Sequence, residues 1–234
     1  VRSLALDTAT ATSAVALLDG DRCLGERQVE AGGHSRGLLA LIEELLGEVG
    51  WARRELQAVV VGVGPGSFTG VRIGLTVAKT LAYAGGLRLL GVSSLRALAE
   101  NGRALAADEL CPALDALKGE VFSARLRGAE VLEPEDARAP AAWARGLAAA
   151  PARRVFLGSG ALRYRELLLE LMGEQAIIPD TPGLHRISAA ALGRLGAPRL
   201  ERGERHDPRS LEPLYCRLSE AELGLRRTQP ENSR

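Results

Sequence analysis

The sequence predicts an α/β fold assembled from two units of similar plan. Short apolar segments of strand length alternate with segments whose apolar residues recur at helical spacing. Residues 58–63 (AVVVGV) form an unbroken apolar run, as a strand buried on both faces requires. The order β-β-β-α-β-α-β-α, read up to residue 101, starts again beyond residue 109 without any repeat of sequence.

The elements follow in order. Residues 3–7 (SLALD) and 12–18 (TSAVALL) read as strands, and Asp19-Gly20 is a hairpin signal into a third strand at 21–30. Ser35 can cap a helix whose Leu38, Leu39, Ile42, Leu45, Leu46 and Val49 share one side, and Gly50 ends it. After the strand at 58–63 come a helix at 67–84, a strand at 88–92 and a helix at 94–101. Residues 102–109 (GRALAADE) mark a boundary. Beyond it, strands are expected near 111–115, 120–127, 130–132, 154–157 and 175–178, with helices at 140–149, 161–172 and 187–195. This divides the chain into 1–104, 105–225 and a mobile tail, 226–234, that has no apolar residue. Residues 198–210 mix arginine with acids and read as a solvated loop.

The 234 residues carry a formal net charge of +1 and only 3% aromatics. Neither a strong field for nucleic acid nor a stacking platform for single strands follows, so any service to RNA would run through a partner. No apolar run is long enough to span a bilayer, and the opening "VRSLALDTATATS" reads as strand rather than as a signal peptide. Cys23, Cys111 and Cys216 are scattered and odd in number, which suits a reducing compartment, and the cytoplasm is expected.

The most specific stretch is "GVGPGSFTG", between the buried strand and the next helix. It lacks the lysine of a P-loop, and Ser67 stands where a third glycine would complete G-x-G-x-x-G. Amides from Gly64 to Ser67 at a helix N-terminus could favour an anion, but Gly-Pro-Gly is also a sharp strand-to-helix turn. Both readings stay open. Behind it, Gly70, Gly74 and Ala78 recur every fourth residue and leave a nearly bare ridge. Each helical glycine costs roughly 1 kcal/mol relative to alanine, so a close contact must offset it. Spacing alone does not separate packing on the chain's own sheet from packing on a partner. Asp7-Thr8 at a strand end can hold phosphate or simply make a turn, and "LGSGAL" (157–162) is either a turn beside an adenosine or a tight link. His34, His185 and His206 are isolated from one another, with no H-x-x-x-H or C-x-x-C, so no metal site is expected.

Taken together, "LALDTATATSAVALL", "GHSRGLLALIEELL" and "GVGPGSFTGVRIGLTVAKTLA" resemble the TsaB (YeaZ-like) family, with fainter echoes in "LDALKGEVF" and "EPLYCR". The resemblance implies a two-domain actin/hexokinase/Hsp70-like (ASKHA, ribonuclease H-like) fold. It also implies a non-catalytic subunit in the making of N6-threonylcarbamoyladenosine in tRNA. The implied partners are a metal-bearing paralogue of the TsaD type, a TsaE-type P-loop ATPase, and tRNA through the complex, with homodimers in isolation. ATP and the divalent metal would belong to the complex and not to this chain. The implied partner face comprises Ser35, Leu38, Leu39, Ile42, Phe68, Gly70, Val71, Gly74, Leu75 and Ala78. The implied vestigial nucleotide site comprises Asp7, Thr8, Gly64, Gly66, Ser67, Gly158 and Gly160. The catalytic paralogue resembles V-N-H-x-x-G-H where this chain reads Val92-Ser93-Ser94-Leu95-Arg96-Ala97-Leu98, so Ser94 and Leu98 replace both metal histidines. The family's Asp-Ala-Arg before Gly-Glu-Val-Tyr is Asp115-Ala116-Leu117-Lys118 here, which leaves only the Lys118 charge in its place. Two alternatives remain: an ATP-binding kinase or ATPase acting alone through Asp7 and the two glycine turns, and a peptidase. For the latter no nucleophile or metal is recognisable.

Overall fold

A computed structural model describes residues 1–30 and 34–216, the side chains of 34–36 excepted. The expected tail, 226–234, and the Ser35 side chain lie outside the described residues. The first unit opens with strands β1 (Arg2–Asp7), β2 (Thr12–Asp19) and β3 (Arg22–Glu30), then helix α1 (His34–Val49). Strand β4 (Ala58–Gly62), helix α2 (Phe68–Gly85), strand β5 (Arg88–Val92) and helix α3 (Ser94–Glu100) complete its contiguous part. The second unit holds β6 (Glu109–Asp115), β7 (Val121–Arg127), β8 (Glu130–Arg138), α4 (Pro140–Ala148) and β9 (Arg154–Leu157). It continues with α5 (Ser159–Arg163), α6 (Arg165–Met172) and β10 (Ala176–Ile177), and α7 (Ala189–Glu201) follows.

Each unit has one five-stranded sheet, in the orders β3-β2-β1-β4-β5 and β10-β9-β6-β7-β8. In both, three antiparallel strands are followed by two strands that join in parallel. The duplicated plan read from the sequence is therefore present. The parallel strand β4 is buried along its whole length, as its apolar run requires.

Four expectations are corrected. The helix expected at 161–172 breaks at Tyr164, whose φ of −107° and ψ of 24° are not helical, and becomes α5 and α6. Strand β8 runs on through acidic residues and Pro134, which an edge strand tolerates because its outer N–H groups need no partner. The solvated loop expected at 198–210 begins as helix, because α7 continues to Glu201. Finally, α7 does not stay with the second unit. It packs across β1, β2, β4 and β5, where Gly193 and Gly196 let its backbone approach Leu18 and Val60. The first unit thus takes back α7, which the expected division had placed in 105–225.

One apolar core runs from the first sheet through Leu95 and Leu98 of α3 to Leu110, Leu126, Val155 and Leu157 of the second. A smaller core joins Trp143, Phe156, Leu168 and Met172 between the second sheet and α4 and α6.

Candidate functional site

Asp7 ends β1 at 1% exposure, and its carboxylate is fully engaged from within. The Ala9 N–H donates to Oδ1 at 2.8 Å and the Ser94 hydroxyl to Oδ2 at 2.5 Å. Ser94 Oγ in turn accepts from the Gly64 N–H at 3.2 Å, while the Ser94 N–H donates to Gly64 O at 2.8 Å. Gly62 makes room for the carboxylate: a Cβ there would lie 1.8 Å from Asp7 Oδ2. Burial pushes the Asp7 carboxyl above its ordinary range, against the lowering effect of the Ser94 and Ala9 hydrogen bonds.

The glycine loop is spent in the same way. The Val63 N–H donates to Val92 O, the Ser67 N–H to Ala9 O, and Ser67 Oγ caps α2 by accepting from the Gly70 N–H. The peptide between Gly64 and Pro65 is cis. The Gly64 and Ser67 amides are therefore already bound to the chain's own oxygens, and Asp7 turns its oxygens to Ser94 and Ala9.

The second glycine turn is a tight strand-to-helix link. Gly158 has a φ of 100°, and a Cβ on it would meet Ala113 O at 2.4 Å. Gly160 is buried against Val121 and Ala113. The Gly158 N–H donates to His185 Nδ1 at 3.0 Å, and His185 Nε2 lies 2.7 Å from Pro179 O. His206 likewise accepts from the Gly91 N–H through Nδ1, at 3.0 Å. Both imidazoles are thus occupied as backbone acceptors, and the His34 side chain lies outside the described residues. Among the described residues no group of three His, Cys, Asp or Glu side chains could hold a metal ion. Leu98 is fully buried core. Leu117, Lys118 and Gly119 take φ values of 61°, 51° and 83°, a left-handed turn with Leu117 at its exposed tip.

The bare ridge of α2 faces inward, which corrects the partner-packing expectation. A Cβ on Gly70 would sit 2.1 Å from Thr8 O, and one on Gly74 2.3 Å from Thr8 Oγ1. Thr8 Oγ1 donates to Gly70 O at 2.7 Å. Val71, Leu75 and Ala78 are buried in the same core, as are Leu38 and Ile42 of α1. Sequence spacing reported that something comes close to this ridge; the structure identifies it as the end of the chain's own β1. Of the expected partner residues whose side chains are described, only Leu39 and Phe68 remain exposed, at 46% and 44%.

The outward face of α2 instead carries Phe68, Arg72, Thr76, Thr80 and Tyr83, the last 80% exposed. Next to its start lies a terminal strap, residues 204–216. The His206 N–H donates to Leu89 O at 2.7 Å, Leu211 packs at Gly91 and Val63 has its carbonyl bound by the Leu214 N–H at 2.7 Å. The strap covers the outer edge of β5 and ends on Phe68 and Arg72. Sequence reasoning missed Arg72, Tyr83 and Tyr215. Polar and aromatic positions opposite the glycine ridge were the available signal.

Comparison with known proteins decides the family. The family model described as "TsaD: tRNA N6-adenosine threonylcarbamoyltransferase" matches residues 28–150. The tRNA threonylcarbamoyladenosine biosynthesis protein TsaB of Bacillus subtilis is 33% identical over 225 residues, covering 94% of this chain and 95% of that protein. The chain belongs to the TsaB family. The TsaB of Escherichia coli is 36% identical over 123 residues, 52% of this chain and 53% of that protein. Among solved structures, YeaZ from Pseudomonas aeruginosa aligns with a TM-score of 0.76 at 30% identity over 92% of this chain and 99% of its own. A ROK hexokinase from Thermus thermophilus, at 16% identity and a TM-score of 0.51, shares the fold alone, over 86% of this chain and 100% of its own. The architecture is the two-domain ASKHA-like α/β fold, and the family's role lies in tRNA threonylcarbamoyladenosine biosynthesis. No described helix is long and apolar enough to cross a membrane.

Proposed function

We propose that this chain is the non-catalytic subunit of a tRNA threonylcarbamoyl-transfer assembly, and that it binds and activates a metal-bearing paralogue of the TsaD type. One observation carries the reading. Where the paralogue resembles a metal-binding histidine, this chain has Ser94, whose hydroxyl is committed to the buried Asp7. A buried acid held by a neutral hydroxyl, beside a loop whose Gly64 and Ser67 amides bind the chain's own oxygens, supports a cleft kept for architecture.

On this reading ATP and the divalent metal sit on other subunits, a TsaE-type P-loop ATPase joins the assembly, and tRNA meets the complex. The contact face is the outward side of α2 with Leu39 of α1, an exposed face of aromatic and polar residues that pairs with a second copy when the partner is missing. The compartment is the cytoplasm, where the tRNA substrate is.

The test is reconstitution of adenosine modification from purified subunits, with and without this chain. The chain alone is expected to be inert and to retain no ATP in equilibrium dialysis, while the paralogue needs it for full turnover. Modification by the chain alone, or a paralogue equally active without it, overturns the proposal.

A further inference from the structure

Phe68 and Tyr215 stack with ring centroids 5.6 Å apart and planes inclined by 29°. Both remain open to solvent, at 44% and 48%. The Arg72 guanidinium carbon lies 3.7 Å from the Phe68 ring centroid, and Arg72 Nε donates to the Tyr215 hydroxyl at 2.9 Å. The strap fixes Tyr215 from behind, because its neighbour Leu214 is hydrogen-bonded to Val63. A surface arginine ordinarily gives up rotamer freedom on capturing a ligand; here the stack and the hydrogen bond have already removed it.

With Nε turned to Tyr215, the terminal nitrogens of Arg72 form a planar fork matched to the two oxygens of a carboxylate. Among the described residues no Asp or Glu lies at ion-pair distance from Arg72, whereas the exposed Arg53 and Arg96 each have one. An arginine set against two exposed aromatic rings also has the composition of an interface anchor.

We propose that Phe68, Arg72 and Tyr215 form a carboxylate-recognition site that receives an Asp or Glu side chain of the catalytic paralogue. This rests on the subunit reading above. A protein occupant is favoured over a small acid because Arg72 stands on an open helix face without walls to enclose a free molecule. The site is also continuous with the exposed side of α2 that leads to Tyr83.

The experiment measures the affinity of the full chain for the purified TsaD-type subunit by calorimetry, at low and moderate salt. The chains compared are wild type, Arg72→Lys, Arg72→Gln, Tyr215→Phe and Tyr215→Ala, each with its melting temperature. Arg72→Lys keeps the charge but loses the fork and the stack, and is expected to bind at least about tenfold more weakly. Tyr215→Ala should match it, and Tyr215→Phe, which keeps the ring, should recover most of the loss. Added salt should weaken wild type more than Arg72→Gln. Folded Arg72→Lys and Tyr215→Ala chains that bind within about twofold of wild type overturn this site and leave the subunit reading standing. No binding by wild type overturns the subunit reading, and the site falls with it.

Discussion

Each of the two sheets buries a carboxylate, Asp7 in the first and Glu109 in the second, and they do so by opposite means. Asp7 in the first sheet has only a hydroxyl and an amide for company. Glu109 in the second, 2% exposed, accepts from Arg154 at 2.8 Å and from Arg127 at 2.9 Å, with Arg125 at 3.3 Å. Burial alone would push both carboxyls up. At Glu109 the hydrogen bonds of Arg154 and Arg127 and the charges of Arg154 and Arg125 outweigh it and hold the group below the usual range. At Asp7 burial wins. The difference separates a carboxylate held among three arginines from one held by a hydroxyl and an amide, with no cation at ion-pair distance among the described residues.

Removing a counter-ion from the second sheet should have the largest effect. Arg154 is 1% exposed, so Arg154→Ala leaves Glu109 partly unanswered inside the fold, and a loss of about 3–5 kcal/mol is expected in urea unfolding. The double change Glu109→Leu with Arg154→Leu should recover most of that loss. A single variant that stays within about 1 kcal/mol of wild type would mean that Arg125 and Arg127 suffice without it.

Ser94→Ala is next. It takes away the hydroxyl that Asp7 and the Gly64 amide share, and should cost about 1–3 kcal/mol. No change in the unfolding midpoint would remove Ser94 from the account of the cleft.

The smallest effect, about 1 kcal/mol or less near pH 5, belongs to Asp7→Asn, and its pH dependence is the informative part. The folded-state pKa of Asp7 is raised, so the stability it contributes is full below its unfolded value and is lost as pH climbs through the folded one. Asn does not titrate. Asp7→Asn should therefore gain on wild type from acid to neutral pH. Glu109 has the opposite sign: its contribution is present above the unfolded pKa and is lost as pH falls through the lowered folded one. A flat difference between Asp7→Asn and wild type across pH 4 to 8, tested by urea midpoints, would mean that the carboxyl is not desolvated as its burial implies.

Much of this was legible in the sequence. Strand periodicity, the Asp19-Gly20 hairpin and the buried run at 58–63 place the first sheet correctly. Asp7 stood out because it ends an apolar strand among small hydroxyl residues. Glu109 did not, because its meaning depends on the register that sets it beside Arg154 across two parallel strands. The glycine ridge of α2 was seen but assigned to the wrong neighbour: spacing encodes close approach, not the identity of what approaches. The Arg72 and Tyr215 contact joins residues 143 positions apart, beyond the reach of local pattern.

The terminal strap has a consequence for how the chain is born. The outer edge of β5 is hydrogen-bonded at Leu89 and Gly91 by His206, and the first sheet is packed by α7, so both wait until residues 189–206 have been translated. Until then a nascent polypeptide on the ribosome presents an open strand and an uncovered apolar floor to its surroundings. A chain cut short before residue 206 would leave the Leu89 and Gly91 edge of β5 bare, an open strand to aggregate through.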